Sequence, residues 1–108
     1  MIFGVEISEQ ANNDLRGIFE YIIFQLNAPR NAASQIDRLE EQILSLDQCP
    51  ERFHLYNKEP WKTRGLRIMP IDNYLVMYIA DNQRQIVTVI RVMYGGRDVD
   101  AQLERYTE

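Results

Sequence analysis

Hydrophobic and polar positions change rhythm three times along the chain. Phe3, Val5 and Ile7 alternate with their neighbours, a period of two that predicts a short strand from Ile2 to Ile7. From Ala11 the period lengthens to that of a helix. Ala11, Leu15, Ile18, Ile22 and Leu26 form a stripe widened by Phe19 and Ile23, opposite Asn13, Asp14, Arg16 and Glu20. Ser8 is a natural N-cap, and Pro29 forces its predecessor out of helical geometry, so this helix is expected from Ser8 to Leu26. A second stripe, Ala32, Ala33, Ile36, Leu39, Ile43 and Leu46, predicts a helix from Pro29 to Leu46, ended by Cys49-Pro50. So short a link between the two implies an antiparallel helical hairpin.

The last third returns to strands. Gly65 to Met69, Tyr74 to Ala80 and Gln85 to Tyr94 are separated by tight turns, at Pro70 with Asp72-Asn73 and at Asp81 to Arg84, and read as an antiparallel meander. Leu66 and Ile68 share one face of their strand and Arg67 takes the other. Ile86, Val87, Val89, Ile90 and Val92 make the final strand the most β-prone stretch, which suits a central position. Asp98 is a good N-cap for a short helix through Leu103. The expected fold is one α+β domain over residues 1–108. All four strands lie in one antiparallel sheet, the first at an edge beside a meander strand, with the helical hairpin on one face.

Composition narrows the chemistry. Cys49 and His54 are the only residues of their kinds, which removes an internal disulfide and makes a zinc or histidine-based cluster improbable, so no metal and no cofactor are expected. No stretch approaches the length of a membrane span and the first residues lack a leader pattern, so a cytoplasmic protein is expected. The net charge of −4 conceals an asymmetry. In residues 1–51 three arginines stand against nine carboxylates, whereas in residues 52–97 eight bases face three acids. That basic block can meet nucleic acid or an acidic partner. Within it Phe53, Tyr56 and Trp61 sit among Arg52, Lys58, Lys62 and Arg64, a mixture that can stack on bases and hold phosphates or simply pin a loop to the core.

Three arginines stand out by position. Arg97 follows Gly95-Gly96 at the end of the most rigid strand, where its stem is fixed and its guanidinium can reach outward. Arg67 lies on a neighbouring strand, and the two are expected to converge on one concave face. Arg91, inside an apolar run, is expected to pair with an acid on a helix.

The order of elements and four local strings, ISEQANNDLRGIFEYI, LDQCPERF, GLRIMPIDNYLVMYI and VIRVMYGGRD, resemble the RelE/ParE superfamily of toxins from type II toxin–antitoxin modules. The resemblance covers nearly the whole chain. It implies growth arrest, neutralisation by a cognate antitoxin that wraps the toxin as a helix or added strand, operator DNA binding by the complex through the antitoxin, and a place in plasmid stabilisation. The RelE branch cleaves mRNA on the ribosome without a metal, using bases on the central strands. Arg67 and Arg97 match two of its basic positions. Leu75 stands where that branch has an arginine, Leu103 where it has a tyrosine, and Tyr94 where a related branch has a histidine. The ParE branch poisons DNA gyrase by binding it, and the GLR…NY…RD pattern is somewhat closer to that branch.

Arg67, Arg97 and Tyr94 are therefore the candidates for catalysis or target binding, with Arg64, Lys62 and Tyr74 as candidate binding residues. Glu59 is a possible base by residue type. Three functions remain open: a gyrase-binding toxin, a ribosome-dependent endoribonuclease with a reduced catalytic set, and an inactive family member. Cleavage needs a proton acceptor for the ribose 2′-hydroxyl, and guanidinium is a poor one. Tyr74, Tyr78 or Tyr94 could accept that proton only with a strongly lowered pKa.

Overall fold

The computed structural model describes residues 2–96 and 99–104. The chain runs through β1 (Gly4–Ile7), α1 (Glu9–Glu20), α2 (Pro29–Leu44), β2 (Leu66–Ile71), β3 (Tyr74–Asp81), β4 (Ile86–Tyr94) and α3 (Val99–Glu104). The strands form one sheet in the order β1-β4-β3-β2. This is the expected α+β class with the expected meander, β4 lies inside the sheet, and β1 is at an edge.

One expectation of the topology fails. β1 pairs with β4 in parallel, Gly4 opposite Ile86 and Ile7 opposite Val89, so the sheet is mixed rather than wholly antiparallel. The reason lies in the connection to β2. α1 continues in the direction of β1 along the edge of β4, and α2 brings the chain back to the end where β1 began, where the Phe3 N–H donates to the Asp47 carbonyl at 2.7 Å. The segment around Leu55, bridged antiparallel to Arg67, then makes the second reversal. β2 therefore starts in the direction of β1, and the two hairpin turns of the meander give β4 that direction too.

Ser8 caps α1 as its sequence position suggests, its Oγ accepting from the Ala11 N–H at 3.1 Å. α1 is shorter than expected, because Tyr21–Gln25 form a π-helical turn in which Leu26 N–H donates to the Tyr21 carbonyl. The wider turn spoils the 3.6-residue register, so the stripe ends at buried Ile22 while Phe24 and Leu26 face solvent. α2 starts at Pro29, with Ala28 as its N-cap, and ends in a 3₁₀ turn, Ser45–Asp47. Ala33, expected in the buried stripe, is exposed. β2 continues through Pro70 to Ile71, so Pro70 belongs to the strand and not to the turn. It is tolerated because β2 is the other edge of the sheet. Asp98, the expected cap of α3, lies outside the described residues.

Both faces of the sheet are covered. On the hairpin side Phe3, Leu15, Leu39, Ile43, Leu46, Met69, Val76, Tyr78, Val89 and Val92 form the larger core. On the other side Leu66, Met77, Ile90 and Met93 lie under Trp61 and Leu103, with Tyr56, Ile68, Leu75, Ile79 and Val99 at the margin. The loop before β2 and the short α3 are thus a thin third layer. A β-bulge makes this division possible. Met77 pairs with Arg91 and Tyr78 with Val89, leaving Ile90 as the extra residue, so Val89 and Val92 reach the hairpin core while Ile90 and Met93 reach the other.

Candidate functional site

The bulge falls where β1 leaves the sheet. At Ser8 the chain turns away, its N–H still on the Val89 carbonyl at 3.0 Å and its Oγ donating to the Ile90 carbonyl at 2.9 Å. Beyond that point the outer edge of β4 faces α1 instead of a strand. Asp14 fills the vacated position. Its carboxylate accepts from Arg91 Nε at 2.7 Å, Arg91 Nη2 at 3.0 Å and the Val92 N–H at 2.9 Å. Arg91 Nη1 continues to the Gln102 carbonyl of α3 at 3.0 Å. One ion pair therefore joins α1, the edge of β4 and α3, and it does what the sequence position of Arg91 implies. Bidentate contact suits the planar guanidinium, and the third acceptor bond satisfies an edge N–H.

Beside this pair lies a groove of about 670 Å³, bordered by Gly17, Ile18, Tyr21, Leu26, Tyr74 and Tyr94. Tyr74 and Tyr94, opposite each other across β3 and β4, meet edge to face with ring centroids 6.0 Å apart. Tyr21, Leu26 and Tyr94 are each about half exposed. Gly17, Tyr21 and Leu26 are not among the candidates that the sequence suggests. The signal that marks Gly17 and Tyr21 is the helical stripe Asp14, Gly17, Ile18, Tyr21, with spacings of three and four on one face of α1.

The other candidates are dispersed. Arg67 is held beneath the loop. Its Nη1 donates to the Phe53 carbonyl at 2.6 Å and the Glu51 carbonyl at 3.2 Å, and its Nη2 reaches the Glu51 carboxylate at 3.5 Å. Lys62 and Arg64 are exposed on that loop, where the Arg64 guanidinium lies 4.9 Å above the centre of the Trp61 ring. Arg97 lies outside the described residues. The structure thus brings Tyr74 and Tyr94 together and sets Arg67 apart from them.

Proton chemistry runs against Tyr74 and Tyr78. Burial pushes the Tyr74 phenol up, assisted by Tyr21, Tyr94 and Asp72 nearby. Burial likewise raises Tyr78 to about 12, where its O–H donates to the Pro50 carbonyl at 2.5 Å. Glu59 is pulled below its usual range, first by the Thr63 hydroxyl and then by the Thr63 N–H, which makes it a weaker base. Among the described residues no three His, Cys, Asp or Glu side chains gather as a metal would need. No described helix is long and apolar enough to cross a membrane.

Solved structures share this fold. A chain of the chromosomal ParDE system of Pseudomonas aeruginosa matches with a TM-score of 0.70 and 17% identity, covering 86% of this chain and 96% of that one. A chain of the toxin–antitoxin complex RelBE2 of Mycobacterium tuberculosis gives 0.62 and 20%, covering 87% and 99%. A mutant of the Escherichia coli toxin RelE in the free state gives 0.64 and 13%, covering 98% and 94%. These likenesses are of fold. No curated protein matches the sequence. The family model for the ParE toxin of the type II toxin–antitoxin system parDE matches residues 5–99, and the chain belongs to that family.

Proposed function

We propose that this toxin arrests growth by gripping a protein target, DNA gyrase in the first instance, and not by cutting RNA. The observation that carries the reading is the apolar face of the sheet turned away from the helical hairpin. An RNA-cleaving toxin of the resembling branch needs bases across its central strands. Here Leu66, Met77, Ile90 and Met93 lie on that face beneath Trp61 and Leu103, and Leu75 packs at their margin. A face closed by apolar contacts offers no cation to a developing phosphorane charge. On the hairpin side, the raised phenols of Tyr74 and Tyr78 make two further candidate bases poor proton acceptors.

The natural partner is a cognate antitoxin, in line with family membership and with the toxin–antitoxin complex among the structural neighbours. It would meet the basic block through an acidic amphipathic segment and carry the operator DNA contact. The cytoplasm is the compartment where gyrase would be reached. RNA cleavage on the ribosome is the second reading, favoured by one feature, the exposed Lys62 and Arg64 beside Trp61.

Controlled expression with two readouts decides between them. The expected outcome is double-strand DNA breakage with intact transcripts. Codon-linked cleavage of translated mRNA by the wild-type chain would sink the gyrase reading. In the same assay Arg97→Ala is expected to abolish arrest at unchanged melting temperature. Arg67→Ala is expected to lower both together, because Arg67 positions the loop through the Phe53 carbonyl.

A further inference from the structure

Building on the reading of a protein target, the geometry points to the open end of β4 as a slot that takes an extended, uncharged segment of that target by strand addition. Strand pairing fixes which backbone groups are available. Gly95 N–H donates to the Asn73 carbonyl at 2.8 Å, so residues 73 and 95 form a hydrogen-bonded pair of the antiparallel ladder. The alternation then turns the N–H and C=O of Val92 and Tyr94 away from β3. Pairing with β1 ends at Val89. Asp14 takes the Val92 N–H, and among the described residues the Val92 carbonyl and the Tyr94 N–H have no protein partner. An unpaired donor and acceptor in strand geometry are what an extended backbone recognises. Because Asp14 occupies the Val92 position, an incoming strand must start at Tyr94, which sets its register.

The lining indicates what the strand carries. Ile18, Tyr21, Leu26, Tyr74 and Tyr94 are apolar or aromatic, Asn13, Asn73 and Gln102 add neutral polar groups, and Gly17 lets the groove reach the backbone of α1. A Cβ built on Gly17 meets no atom within 4 Å. The charged groups here, Asp14 and Arg91, are already bonded to each other and are each about 15% exposed. A charged segment would lose hydration and gain no counter-charge. The acidic segment expected of the antitoxin therefore does not suit this groove, and a slot without a free charge falls to the target.

Gly17→Leu tests this by filling the groove from an open position, with Asn12→Leu, at an exposed position of α1 outside the groove lining, as the control that adds the same side chain elsewhere. Each variant is expressed at matched level, scored for growth arrest and for co-purification with the cognate antitoxin, and melted as the purified complex. Gly17→Leu is expected to lose arrest while keeping antitoxin binding and melting temperature, and Asn12→Leu is expected to arrest normally. Full arrest by Gly17→Leu overturns the proposal, as does loss of antitoxin co-purification, which would make the groove the antitoxin's.

If Gly17→Leu proves unstable, the comparison of Tyr94→Ala with Tyr94→Pro decides. Both lose the ring, but only proline removes the outward N–H, at an edge position where the ladder does not use it. Strand addition requires proline to weaken arrest further than alanine, and equal arrest by the two refutes it. Transcript cleavage by the wild-type chain would overturn the protein-target reading instead, whatever the Gly17 and Tyr94 variants do.

Discussion

Two arginine–aspartate pairs fasten the helical hairpin to the sheet, one for each helix. α1 is held by Asp14 on Arg91 of β4, and α2 by Arg38 on Asp72 in the turn between β2 and β3. The chemistry is the same, and in each the guanidinium Nε lies within 2.9 Å of a carboxylate oxygen. The surroundings differ. The first pair keeps only 14% and 16% of its side chains exposed, whereas the second keeps 52% and 41%. Asp14 also accepts a backbone N–H of the strand, and Arg91 donates to a carbonyl of α3. Asp72 shares its charge with the Gln35 amide, and Arg38 also contacts Ser34 and Gln35 on its own helix. One pair therefore organises three elements in a poorly hydrated place, and the other sits in water.

The largest effect is expected at the interior pair. Arg91→Ala leaves the Asp14 carboxylate half-buried beside apolar β4 and should cost about 3 kcal/mol, near the lower end for breaking a buried pair. In a chain of this size that is a fall in melting temperature of roughly 10–20 °C, readable by calorimetry. Exchanging both partners, Asp14→Leu with Arg91→Met, sharpens the point. Removal of both charges should recover part of the loss, and the recovery stays incomplete because the Val92 N–H then lacks an acceptor, a cost of about 1–3 kcal/mol. A double variant as unstable as Arg91→Ala alone would mean that packing and not charge governs this corner.

A third tie, without charge, lies between the two pairs in expected effect. Tyr78 is fully buried, and its O–H donates to the Pro50 carbonyl at the start of the loop. Tyr78→Phe leaves that carbonyl without its donor and should cost about 1–2 kcal/mol at neutral pH. The pH dependence carries a sign. The unfolded phenol ionises at its ordinary 10.0, and the folded one only at about 12. Between those values the folded chain holds the proton that the unfolded chain releases, so stability is undiminished below pH 10 and falls as the pH rises toward 12. Denaturation followed across that window should show a decline in the wild type that Tyr78→Phe lacks.

How much of this was legible in the sequence depended on the range of the interactions. The period-of-two and period-of-3.6 patterns placed both helices and all four strands. A lone cation within Ile86 to Val92 pointed to a buried partner on a helix, because desolvation would otherwise be prohibitive. The direction of β1 was not legible. It follows from the number of chain reversals, and the last one before β2 comes from a loop without periodicity whose pairing is visible only in the bridge between Leu55 and Arg67. The π-helical turn at Tyr21 was hidden for a different reason, since apolar residues continued through Leu26 and a helical stripe was the simplest reading. That turn exposes Leu26 beside the groove, so the part of the candidate site that was missed is the part built by a departure from regular geometry. The roof of Trp61 and Leu103 over the far face was equally out of reach, because nothing local in either segment tells which face it covers.

The smallest effect is expected at the exposed pair. Arg38→Ala removes a contact that water and salt already weaken, so the melting temperature should stay close to that of the wild type in physiological salt. Any difference should vanish when the ionic strength is raised, whereas the loss caused by Arg91→Ala should persist. The acid limb gives the remaining resolution. Arg38 first, and Gln35 after it, hold the Asp72 carboxyl below its ordinary 3.8. A depressed carboxyl contributes stability that is present above the unfolded value and is lost as the pH falls through the folded one. Acid unfolding of the wild type should therefore draw on Asp72 only below pH 3.8, and Asp72→Asn should flatten that part of the curve while leaving neutral stability almost unchanged. If Asp72→Asn destabilised the chain at pH 7 as strongly as Arg91→Ala, burial would not be what separates the two pairs, and the turn between β2 and β3 would have to be held by Asp72 in its uncharged contacts instead.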